Sequence, residues 1–121
     1  MRAKSKPTDR SKKWWQKLDE QKIQAALQEA IVDAYGDDEQ HTGLLTVIQD
    51  ELQFPFKAKV LGEVLQVVGM KWPEDDAYGL DLVCERNGHQ QRIEARSVEL
   101  IKPLPQGHLC LAAYLDWKQR F

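Results

Sequence analysis

Between Ile23 and Phe56 the chain carries Glu29, Asp33, Asp37, Asp38, Glu39, Asp50 and Glu51 but no lysine or arginine. A second cation-free stretch, from Trp72 to Glu85, holds Glu74, Asp75, Asp76, Asp81 and Glu85. A solvated helix face normally mixes both signs, because like charges at short helical spacing repel. Carboxylates left without cationic neighbours are the ligands a hard divalent cation requires. Calcium is favoured, since an irregular set of carboxylates and carbonyls suits a large ion with flexible coordination; magnesium or another divalent cation is the alternative. The candidate ligands are Asp33, Asp37, Asp38, Glu39, Asp50 and Glu51, with Glu74, Asp75 and Asp76 as a second, weaker site. The competing reading of Asp37, Asp38 and Glu39 is structural: either aspartate could cap a helix, and all three acids suit the positive end of its dipole.

The elements that must position these residues follow from periodicity. Ile23, Ala26, Leu27, Ala30, Ile31 and Ala34 form one helical stripe, which Trp14, Trp15 and Leu18 extend toward the N-terminus, with Gly36 placed to end the helix. At most one of the adjacent tryptophans can face the core. A second helix is predicted over about 38–52, with Leu44, Leu45, Ile48 and Leu52 buried. These assignments put Asp33 on the last turn of the first helix and Asp37 to Glu39 at the corner. Asp50 and Glu51 then lie about 18 Å farther along the second helix. One ion cannot use both groups unless another segment folds back, which leaves two weaker sites or a single corner site.

Pro55 ends the helical half, and the periodicity switches to that of strands. Segments 56–61, 64–71, 80–85 and 90–96 are predicted strands, with a short turn or strand near 98–101. Asn87-Gly88 is a tight hairpin turn. Pro103 and Pro105 break the sheet, and 109–119 reads as a short closing helix. The expected fold is therefore α+β: an N-terminal helical pair packed on a small antiparallel sheet, either an SH3-like barrel or a curled sheet, with a short C-terminal helix.

The chain has 121 residues, enough for one domain with a single core. Residues 1–11 are expected to be a disordered basic tail and 12–121 a single domain. Seven of the 17 basic residues but one of the 19 acids lie in residues 1–17, which leaves the remainder with a net charge of −8. No apolar run is long enough to cross a bilayer, and the basic N-terminus lacks the apolar core of a secretory signal. Cys84 and Cys110 lack CxxC spacing, so the expected location is a reducing cytoplasm. No phosphate-cradling loop or nucleophile elbow is present, and His41, His89 and His108 show no zinc spacing and are expected at surface or capping positions. An enzyme is not expected. The alternative to metal binding is a protein- or nucleic-acid-interaction module that uses the basic arm, although a body at −8 repels phosphate.

The acids do not form an EF-hand. Counted from Asp33, that loop would put Asp38 where the invariant glycine belongs and Leu44 at the closing bidentate position; counted from Asp37, Ile48 falls there. The run Asp33-Ala34-Tyr35-Gly36-Asp37-Asp38-Glu39-Gln40, together with Asp50-Glu51-Leu52-Gln53-Phe54-Pro55-Phe56-Lys57-Ala58-Lys59, instead resembles the CcbP-type family of small, acidic, non-EF-hand bacterial calcium-binding proteins. Leu-x-Phe-Pro-Phe-x-Ala after an acidic helix is its most recognisable part, and Gly62-Glu63-Val64 continues the likeness over roughly 30–101. The resemblance implies a compact α+β fold and calcium bound by carboxylates from more than one segment. It also implies a buffer or sensor, not a catalyst. The acids that carry over are those listed above from Asp33 to Glu51, with Glu63 as an outside candidate.

Overall fold

A 3-10 turn over Trp14–Lys17 leads into helix α1, Glu20–Ala30. The computed structural model describes residues 12–74 and 78–120. The apolar stripe predicted one helix running through Ala34, and the chain departs from this twice. It breaks at residues 18–19 because the Asp19 carboxylate accepts the Gln21 N–H at 2.9 Å, which is an N-cap and not a mid-helix contact. It stops at Ala30 because Val32 is 74% exposed and anchors nothing, and because the last turn lacks a cation to offset Asp33 at the negative end of the dipole. The tryptophans divide as expected, Trp15 buried and Trp14 half-buried.

Helix α2 spans Asp37–Glu51 and buries Leu44, Leu45 and Ile48. Five strands follow: β1 Phe56–Val60, β2 Glu63–Lys71, β3 Asp81–Arg86, β4 His89–Glu94 and β5 Glu99–Leu100. Every pairing is antiparallel, in the order β4–β3–β2–β1–β5. The edge strands β4 and β5 do not pair with each other, so the sheet is open and the barrel alternative falls. It is nonetheless curled. Four strand spacings would set the edges of a flat sheet about 19 Å apart, yet residues 95–98, three of them in a 3-10 turn, join β4 to β5. A bulge at Val68, between the pairs Val67–Cys84 and Gly69–Val83, supplies part of the bend.

Asn87 and Gly88 both take positive φ (53° and 80°), the predicted hairpin turn. A second turn of the same kind, at Leu61 (51°) and Gly62 (81°), joins β1 to β2 and places a leucine where glycine or asparagine is usual.

Helix α3, His108–Lys118, is more than a closing element. Leu111, Ala112, Ala113, Tyr114, Leu115 and Trp117 are all buried, so it is apolar nearly all round. It packs on both α1 and α2, which touch each other less than they touch it, and one hydrophobic cluster joins all three helices to the sheet. Among the described residues no helix is long and apolar enough to cross a membrane.

Candidate metal centre

The corner between α1 and α2 gathers the acids. Asp33 is exposed in the turn after α1, not on its last helical turn. Asp37, Asp38 and Glu39 form the first turn of α2, at the positive end of its dipole. Neither aspartate is the cap, contrary to the structural reading: Gly36 occupies that position and no side chain caps the helix. Behind the acids the two helices approach closely, because a Cβ on Gly43 would lie 2.8 Å from the carbonyl oxygen of Ala30. Beside this contact is an open groove of about 420 Å³ lined by Asp33, Asp38 and Glu39 with Val32, Thr42 and Gly43. Asp37 is not on its wall. Among the described residues no ion pair reaches any of these four carboxylates.

One neutral partner does reach them. The Tyr78 hydroxyl, from the segment leading into β3, donates to Asp38 Oδ1. That hydrogen bond, then burial and the negative charges of Asp38 and Asp37, push the Tyr78 phenol up to about 12. Tyr78 belongs to an aromatic group built around His41, which is buried and not at the surface as expected. The His41 ring lies 5.5 Å from Tyr78, 6.3 Å from Tyr114 and 5.9 Å from Trp117, and its Nε2 is 2.9 Å from the Gly79 carbonyl oxygen. This group ties the start of α2 to α3 and to the approach to β3. His41 precedes Leu44, Leu45 and Ile48 at helical spacing, so its burial was readable from the stripe. Tyr78 lies too far along the chain for any sequence pattern to show.

The remaining candidates lie elsewhere. Asp50 and Glu51 are exposed on the last turn of α2, about 18 Å from the corner. There the chain before α3 crosses at Gly107 (φ 90°), where a Cβ would stand 2.3 Å from the Glu51 carbonyl oxygen. Burial, and after it Glu51 and Glu29, raise the nearby Cys110 thiol above its ordinary value. Glu74 and Asp81 share the Arg92 guanidinium, at 3.4 and 3.0 Å, so this stretch gains in space the cation it lacks in sequence. Glu63 is paired with Arg86. Asp75 and Asp76 lie outside the described residues.

The corner suits a hard cation chemically, offering uncompensated carboxylates and, at the end of α1, carbonyls without intrahelical donors. Among the described residues no three acid, imidazole or thiol side chains already stand at metal-binding separation. An ion would therefore draw exposed carboxylates inward by rotamer changes, which cost little at a surface.

A family model described as calcium binding, CcbP, matches residues 21–117, from α1 to the end of α3. The chain belongs to the CcbP calcium-binding family. It is a calcium-binding protein, and this membership suggests a non-catalytic role. The crystal structure of Anabaena CcbP shares the fold, with a TM-score of 0.66 and 22% identity over 84% of this chain and 92% of that one. No curated protein matches in sequence. The family match spans the acidic corner and leaves out the Trp14–Lys17 turn.

Proposed function

We propose that calcium is held at the α1–α2 corner by Asp33, Asp38 and Glu39, with Asp37 adding negative charge but no direct bond. The observation that carries this reading is that three carboxylates line one groove that no cationic side chain among the described residues reaches. Asp50 and Glu51 belong at most to a separate, weaker site at the far end of α2. The loop carrying Glu74 is weaker still, because Arg92 competes for it.

The role is that of a cytoplasmic calcium sensor without catalytic activity. Calcium on Asp38 competes with the Tyr78 hydroxyl for the same oxygen. Occupancy of the corner is therefore linked to the segment entering β3 and to the aromatic group around His41, a consequence a plain buffer would not need. Magnesium, smaller and strict in its octahedral geometry, fits a site of flexible surface carboxylates less well.

Calorimetric titration of chelator-treated protein tests this reading. Calcium should bind with measurable heat and raise the melting temperature, since binding to the native state alone must stabilise it. Absence of both effects at millimolar calcium would sink the proposal.

A further inference from the structure

A groove with four basic residues on its walls shares no lining residue with the acidic corner. The Trp14–Lys17 turn and the 3-10 turn Ala95–Ser97 face each other across this groove of about 510 Å³, with Lys12, Lys13, Lys17 and Arg96 on its walls. Among the described residues Glu99 is the one acid lining it, and Glu99 stands opposite Lys59 in the β1–β5 pairing, where cross-strand neighbours interact. Among the described residues no ion pair reaches Lys13 or Lys17.

Two further features belong to the same groove. Trp14 lines it, and its indole Nε1 is buried without a hydrogen-bond partner among the described residues, an arrangement that costs free energy unless an acceptor arrives. Leu61, at the tip of the β1–β2 hairpin, forms part of the rim; it is 97% exposed and held at a positive φ of 51°. A bulky residue is a genuine outlier in that conformation. A polar residue or glycine would serve the turn better, so the turn itself does not account for the exposed leucine.

We propose that this groove docks a short acidic segment of a partner protein, one that carries an aliphatic residue beside its carboxylates. Lys13 and Lys17 would meet the acids, and Arg96, already paired with Glu94 at 2.6 Å, would add positive charge. The Trp14 N–H would donate to a carboxylate or carbonyl oxygen, and Leu61 would cover the aliphatic side chain. A short peptide fits better than a nucleic acid. A long polyanion would have to extend over a body whose charge beyond residue 17 is −8, whereas a few residues can stay within the basic groove. The groove shares no residue with the acidic corner, and four of its nine lining residues precede the family match, so the inference stands apart from the calcium reading.

Fluorescence anisotropy on the full chain, with and without calcium, tests it. The probe is a short labelled peptide of glutamates flanking one leucine. Comparison probes replace its glutamates by glutamine or its leucine by serine, and a single-stranded oligothymidylate of equal charge serves as competitor. The glutamate–leucine peptide should bind, with affinity falling several-fold between low and high salt. Lys13→Glu combined with Lys17→Glu should weaken binding by at least about tenfold while the melting temperature and calcium titration stay unchanged, because reversing a rim charge turns attraction into repulsion. Trp14→Phe, which keeps the ring and removes the N–H, should cost about threefold. No binding, equal binding of the glutamine peptide, insensitivity to the lysine reversals, or tighter binding of the oligonucleotide would each overturn the proposal.

Discussion

The α1–α2 corner and the approach to β3 begin as equals, two acid-rich stretches without a single lysine or arginine. The fold treats them differently. At β3 the neighbouring strand places Arg92 between Glu74 and Asp81, and Arg86 on the same hairpin pairs with Glu63. At the corner no cation among the described residues arrives, and Asp33, Asp38 and Glu39 share a groove beside which the Tyr78 phenol donates to Asp38. A local deficit of positive charge is thus not in itself a metal site. Strands bring in side chains from a neighbouring segment at short range, whereas at a corner between two helices that lack cations on their facing ends no neighbour among the described residues supplies one. The corner is therefore the place where an external cation has the most to gain.

The largest effect is expected where that corner is most tightly built. Gly43→Ala pushes a methyl against the Ala30 carbonyl and should destabilise the protein by about 1–3 kcal/mol, read from urea unfolding. Calcium affinity should fall with it, because the groove wall moves. Lower stability with unchanged affinity would dissociate the ion from the corner.

Next in size, Asp38→Asn removes one charge from the groove and should weaken calcium binding about tenfold by calorimetry, or ~1.4 kcal/mol. Asp37→Asn, off the groove wall, should cost about twofold or less, through the loss of general negative charge alone. Equal effects from the two substitutions would show that the ion is held by diffuse charge and not by specific ligands.

The smallest effect belongs to the other region. Arg92→Gln leaves Glu74 and Asp81 unpaired and should reduce stability by about 0.5–1 kcal/mol, as expected for a partly exposed pair of ion contacts. It should also create a weak calcium response, seen as extra thermal stabilisation at millimolar ion that the parent lacks. If none appears, absence of cations does not suffice to make a site, and the groove geometry of the corner matters more than its charge.

Much of the fold was legible in the sequence because it rests on local patterns. The switch from helical to strand periodicity after Pro55, the Asn87-Gly88 turn and the stripe of Leu44, Leu45 and Ile48 each depend on residues near one another, and each lies where the pattern placed it. The errors also have local causes. Asp19 captured the Gln21 N–H and cut the first helix short at its start, and Gly36 took the capping position assigned to an aspartate. In the corner, the carboxylates were visible as residue types. Their convergence on a groove was not, since it depends on the crossing at Gly43.

By itself, then, the sequence determined the α+β class, the strand segments, the acid-rich stretches and the family resemblance, all of which follow from short-range periodicity, composition and motif. The tertiary structure alone decided that the sheet stays open, that α3 sits between the other helices, that Arg92 serves one acidic stretch and Tyr78 the other, and that His41 is enclosed by aromatic rings. The physical reason is that hydrogen bonds and ion pairs between side chains depend on separations in space, and contacts such as Tyr78 with Asp38, forty residues apart in the chain, leave no periodic trace in the sequence.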